Sequence, residues 1–319
     1  MPVSSFAACG LAVGHATDVE GGTGCTVVRG LDGPFRCGVY IAGRATGTRE
    51  LALLDPAHLV GRVDAILLAG GSAYGLDAAA GVMRWMEEHA RGFDVGAGVV
   101  PIVPAAVIFD LAPLGRFDAR PSAQMAYDAS ESAAAIGVAE GSIGAGTGAT
   151  VGKIAGPEKA AKGGLGIGVA DAGALHVRAL AVVNALGDVR DAHGSIIAGA
   201  RNHDGSWLDT AAYLAHGSHR AARFDDLAGR NTTLCVVATN ADLDRVQLGA
   251  LARAASAALF RRITPVGTAF DGDVVFATAP MQDGVSAPPA QVEALAVLAL
   301  EQAIDRAVRT TAPGDVLRA

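Results

Sequence analysis

GRNTTLCVVATNA, residues Gly229 to Ala241, is the stretch on which the reading of this chain turns. Leu234 to Thr239 is apolar and β-branched, the pattern of a buried strand. Yet the run opens on Asn231-Thr232-Thr233, three polar residues that pack poorly in a core. Strands often begin with turn residues, which is one explanation. The other is that Thr232 is a nucleophile. A threonine hydroxyl is weak and needs a base, and a threonine that begins a chain has one in its own α-amine. That amine titrates near 7.7–8.0, against about 10.4 for lysine, so a useful neutral fraction exists at pH 7. An internal threonine gains the amine only when the bond before it is cut, and its own hydroxyl can cut that bond by attacking the Asn231 carbonyl. Such a site needs a nucleophile at the start of a strand and a loop before it. Residues 200–231 are polar, with Gly and His and little periodicity, and read as that loop.

Composition narrows the setting. The 319 residues are 51% apolar, 18% charged and 5% aromatic, with 42 glycines. That composition supports a large core of closely packed small residues. A net charge of −7 and no basic run beyond Arg261-Arg262 argue against nucleic acid. The N-terminus lacks a basic region followed by a long apolar core, and no uncharged apolar run reaches about 20 residues, so neither a secretory signal nor a membrane span is expected. Cys9, Cys25, Cys37 and Cys235 form no CxxC pair and read as reduced thiols. A cytoplasmic protein is the expectation.

Along the chain, "CTVVRG" and "FRCGVYIAG" read as strands joined by the turn "LDGP", and Ala65 to Gly71 as a third strand ending in glycines. Leu76, Ala80, Val82, Met83 and Met86 share a helix face that closes at Gly92. "VVPIVPAAVIFDL" reads as strand, "AQMAYDASESAAAIGVAEG" as an Ala-rich helix, and "HVRALAVVN" as a strand ending at Asn184, with Gly187-Asp188 as a turn. After the 233–239 strand come a helix around Leu243 to Phe260, a strand from Asp273 to Ala279, and a helix around Gln291 to Val308. Strands and helices fall in blocks, which predicts an α+β fold, an αββα sandwich, rather than strict βαβ alternation.

Several motifs fail on inspection. Ser72 in "AGGSAYG" lies where a nucleophile elbow would be, but Tyr74 takes the second glycine position, so helix capping suits Ser72 better. "GATVGK" is one residue short of a phosphate-binding loop, and Ile154 stands where Ser or Thr would hold magnesium. Gly144-x-Gly146-x-x-Ala149 imitates a dinucleotide fingerprint without a clear strand before it. His216 and His219 are spaced to share a helix face but lack a third ligand. Asp271-Gly272-Asp273 is either an acidic turn or a carboxylate pair at a strand mouth.

Resemblance sharpens this reading. "GRNTTLCVVATNA" with "TAFDGDVVFA" resembles the second subunit of the L-aminopeptidase/D-esterase (DmpA-type) family, which includes β-aminopeptidases and nylon-oligomer endo-hydrolases. "VGHATDVEGGTGCTVV", "LLAGGSAYGLDAAAGV", "VPAAVIFDL", "GAGTGATVGKIAG", "KGGLGIG" and "AVVNALGDVRD" resemble its blocks, in order, over nearly the whole chain. The resemblance implies a sandwich similar to N-terminal-nucleophile hydrolases and to the ornithine acetyltransferase type, with its own connectivity. It implies one domain over 1–319, self-cleaved into 1–231 and 232–319, a homo-oligomer of such units, a small peptide or amide substrate, and no cofactor. Thr232 takes the nucleophile's position and Asn231 the end of the first piece. Asn184 matches an asparagine that supports the oxyanion, and Lys153 a lysine near the nucleophile. Asp271 and Asp273 match acidic strand-mouth positions, where the aminopeptidases carry Ser and Glu and the nylon-oligomer hydrolases are closer to Asp-x-Asp. Phe109 stands where several relatives have tyrosine, and a phenyl ring donates no hydrogen bond. An exo-acting aminopeptidase, an endo-amidase of linear oligoamides, and an uncleaved, inactive binding protein on the same scaffold are the readings these features leave.

Overall fold

A computed structural model describes residues 5–216 and 230–311. Ten strands make its two principal sheets: β1 (Leu11–Asp18), β2 (Thr23–Gly30), β3 (Phe35–Ile41), β4 (Gly47–Arg49), β5 (Ala65–Ala69), β6 (Ala105–Val107), β7 (Gly164–Ala172), β8 (Leu175–Asn184), β9 (Thr232–Thr239) and β10 (Val274–Pro280). The first sheet runs β1-β2-β5-β6-β4 and the second β7-β8-β9-β10-β3. Four helices cover them: α1 (Ala79–Glu88), α2 (Ala123–Glu131), α3 (Arg245–Ala255) and α4 (Pro289–Arg309).

Period-two alternation explains the layers. In β9, Leu234, Val236 and Ala238 face the first sheet, where they meet Val13, Val28, Ile66 and Leu68. Cys235 and Val237 face the other way, toward Leu248 and Leu251 of α3 and Ala296 and Ala299 of α4. The outer face of the first sheet buries Val27, Leu67 and Ala69 against Val82 and Met86 of α1 and Ala126 of α2. Every residue of β9 is buried, because both faces of its sheet are covered. The result is the αββα sandwich that the blocks of strand and helix predict.

Details depart from the sequence reading. The helix expected from Tyr74 begins as a 3₁₀ turn, Ser72–Ala78, and Ser72 makes no side-chain cap; it has φ 52° and its N–H donates to Ile108 O. The segment around Gly187-Asp188 is not a free turn, since Asp188–Arg190 pairs with Ile263–Thr264. The stretch read as a loop from residue 200 contains a short helix, Thr210–Ala215. His216 Nδ1 bonds Ala212 O, while His219 lies outside the described residues. The four cysteines are buried free thiols, and burial raises the pKa of each. Among the described residues no helix is long and apolar enough to cross a membrane, and no cluster of His, Cys, Asp or Glu could hold a metal ion.

Candidate active site

The second sheet assembles the site. β8 and β9 are antiparallel, and their register sets Asn184 directly opposite Thr232. β9 and β10 are parallel, with Leu234 opposite Val274; the same register carries back to a bridge between Asn231 and Asp271. Thr232 is therefore fixed between Asn184 on one side and the Asp271-Gly272-Asp273 segment on the other. It is 2% exposed.

The Asn231-Thr232 peptide bond sits where the chain enters β9, between Asn184 of β8 and the Asp271-Gly272-Asp273 segment. Thr232 Oγ1 donates to the Asn231 carbonyl oxygen at 2.6 Å. The Gly272 N–H donates to that oxygen from the other strand at 2.8 Å. In the sequence, the signal for Gly272 is a glycine held between two acids at a strand mouth.

Lys153 and Asn184 converge one residue upstream. Lys153 Nζ donates to Asn184 Oδ1 (2.9 Å), Asn184 O (3.0 Å) and Arg230 O (2.8 Å). Asn184 Nδ2 donates to Arg230 O (3.2 Å) and Phe109 O (3.1 Å). The amide expected to face an oxyanion thus holds the carbonyl of Arg230, which shares Lys153 as a second donor. Phe109 contributes its main chain to this contact, while its ring lies under the Arg230 guanidinium, 5.6 Å away. Lys153 is aimed by Gly152, whose φ of +70° suits glycine, and whose Cβ position would collide with Ala200 N at 2.1 Å. Burial lowers the Lys153 pKa to about 7.

The acidic pair is present but wrapped by its own loop. Asp271 Oδ2 accepts from Thr268 N (2.9 Å) and Thr268 Oγ1 (2.7 Å). Asp273 Oδ1 accepts from Thr233 N (2.7 Å), the residue after the candidate nucleophile, and Oδ2 from Gly267 N (3.3 Å). Each carboxylate is 1% exposed. Burial raises the pKa of Asp271, and burial with the adjacent Asp271 charge raises Asp273 to about 7. A third buried carboxylate, Asp110, follows Phe109; it accepts from Gly71 N (2.6 Å) and Thr23 Oγ1 (2.7 Å), and burial raises its pKa to about 6. It ties the "AGGS" turn of the first sheet to the segment after β6 that carries Phe109, a role the sequence reading did not single out.

Comparison with known proteins follows the same outline. The model of peptidase family S58 matches residues 8–314. An uncharacterized aminopeptidase of Mycobacterium tuberculosis (strain H37Rv) is 41% identical over 325 residues, covering 97% of this chain and 90% of that protein. A 6-aminohexanoate-oligomer endohydrolase of Kocuria sp. (strain KY2) is 31% identical over 288 residues, covering 84% of this chain and 72% of the other. The L-aminopeptidase D-Ala-esterase/amidase of Ochrobactrum anthropi, a variant of the N-terminal-nucleophile hydrolase fold, superposes with a TM-score of 0.69 at 20% identity, over 95% of this chain and 85% of that one.

Proposed function

Because the chain belongs to peptidase family S58 and is a hydrolase on that ground, we propose that it cuts itself between Asn231 and Thr232 and then hydrolyses small peptides or amides with the freed Thr232. One observation carries this reading: Thr232 Oγ1 lies 2.6 Å from the carbonyl oxygen of the preceding residue, at the first position of a buried central strand. After cleavage the α-amine of Thr232 is the general base for its own hydroxyl. Asn184 Nδ2 and Lys153 Nζ, which hold the Arg230 carbonyl in the intact chain, are the donors that meet the carbonyl oxygen of a substrate once that segment moves away. A half-charged Lys153 close by also keeps the new amine neutral.

The burial of the acidic pair supports a second reading of specificity. Asp273 accepts from Thr233 N and Gly267 N and so orients the start of β9, while Asp271 is held by Thr268 of its own loop; both are engaged inside the protein rather than offered to a substrate ammonium. That engagement of the pair favours endo-acting hydrolysis of amides over strict aminopeptidase action.

Intact-mass analysis tests the first claim. Cleavage divides the chain into 1–231 and 232–319, by proportion about 23 and about 9 kDa of 31.9 kDa. Thr232→Ala is expected to stay whole. Splitting of that variant at the same bond would remove Thr232 as the nucleophile.

A further inference from the structure

We infer that self-cleavage and substrate turnover use different oxyanion donors: the Gly272 main-chain N–H serves the attack on Asn231, while Asn184 and Lys153 serve later substrates. The inference rests on the proposed nucleophile and goes beyond it by naming the group that stabilises the first tetrahedral intermediate. In the intact chain, Asn184 Nδ2 and Lys153 Nζ are committed to the Arg230 carbonyl, one residue upstream of the bond to be cut. The Asn231 carbonyl has instead the Gly272 N–H at 2.8 Å. The parallel register of β9 and β10 fixes that contact, since the pairing of Leu234 with Val274 continues into the Asn231–Asp271 bridge. A donor set by a sheet register needs no reorganisation as charge develops, which is what an oxyanion donor requires.

Glycine at this place also admits the nucleophile. A Cβ at residue 272 would lie 2.8 Å from Thr232 Oγ1 and 2.6 Å from Ala45 O. The Ala45 and Arg44 N–H groups bond the Asp271 carbonyl (2.9 and 2.7 Å), so the loop before β4 clamps the segment that carries Gly272.

The chemistry balances with water alone. The Thr232 Oγ1–Asn231 C bond forms, the Gly272 N–H holds the oxyanion, and the C–N bond to Thr232 breaks. The hydroxyl proton ends on the leaving amine. Water then attacks the ester, which releases the Asn231 carboxylate and restores the hydroxyl.

Cell-free synthesis with glycolic acid in place of Gly272 exchanges the N–H for an ester oxygen and adds no atoms. Self-cleavage of that chain, followed by gel, is expected to slow by ~10²–10³-fold. The same exchange at Ala45, with lactic acid, loosens the Asp271 clamp without touching Asn231 and is expected to leave the rate within a few-fold of native. Limited trypsin digestion checks that both chains fold. Asn184→Ala is expected to cleave itself while losing turnover of an amide substrate. Cleavage of the Gly272 ester chain at the native rate overturns the inference, as does equal slowing of the two ester chains. Cleavage of Thr232→Ala is a separate failure, that of the nucleophile itself.

Discussion

At the scale of single residues, the site is a set of polar groups that burial has displaced from their ordinary titration. Asp273 is the clearest. With a pKa of about 7 in the fold, against 3.8 ordinarily, it binds more protons folded than unfolded across that interval. Stability therefore falls as pH rises from about 4 to 7, by at most about 1.4 kcal/mol per pH unit for one proton. Lys153 acts above that window: with a pKa of about 7 against 10.5, it makes stability rise between those values. In a Thr232→Ala background, which avoids cleavage, Asp273→Asn is expected to flatten the fall between pH 4 and 7. Thermal melts across that range check it, and an unchanged slope in the variant would move the titration to Asp271 or Asp110. Asn184 makes a different prediction. On the proposed function its amide is to bond the oxyanion more strongly than the ground-state carbonyl, so Asn184→Ala is expected to lower kcat by ~10²–10³ with KM nearly unchanged. Steady-state kinetics on the cleaved variant would return Asn184 to a purely structural role if kcat stayed within a few-fold of native.

At the scale of elements, small residues decide how closely layers approach. α4 lies directly on the backbone of β7. A Cβ at Gly168 would stand 1.8 Å from Ala299 O, and one at Gly166 2.2 Å from Ala303 O. Main-chain atoms cannot yield as a flexible side chain does, so Gly168→Ala is expected to cost about 1–3 kcal/mol. Gly249 on α3 has open space at its Cβ position, and Gly249→Ala is expected to stabilise by about 0.5–1 kcal/mol. Urea midpoints of the two variants should move in opposite directions, and a Gly168→Ala midpoint equal to native would refute the close-packing account. The same contrast marks what the sequence made legible. The apolar, β-branched run from Leu234 to Thr239 and the helical stretches around Leu243 to Phe260 and Gln291 to Val308 predicted a buried strand and covering helices, because those signals are local. Asn184 and Lys153 were found as residues, but their partner in the intact chain, the Arg230 carbonyl, was not. Nor was Gly272, whose N–H reaches Asn231 only through a sheet register between strands far apart in sequence. Ser72 misled because a capping side chain and a left-handed first residue look alike in "AGGSAYG".

At the scale of the whole molecule, the proposed cut runs through a single sheet. Residues 232–319 supply β9, β10, α3 and α4, while β7, β8 and the edge strand β3 belong to 1–231. β9 and β10 are thus held between strands of the other piece on both sides, with β9 against β8 and β10 against β3. α4, from the second piece, packs along β7 of the first. Separated, the smaller piece would expose two bare sheet edges and the inward faces of Leu234, Val236, Val274 and Phe276, all of which are fully buried. Unpaired strand edges and apolar faces of that extent favour aggregation over independent folding. The two pieces are therefore expected to stay together after self-cleavage: one peak on size exclusion under native conditions, two bands in denaturing gels. They are expected to part only in denaturant at concentrations that also abolish the near-ultraviolet circular dichroism of the core. A smaller piece that elutes alone, folded and soluble, in the absence of denaturant would overturn the account of the shared sheet as what holds the two pieces together.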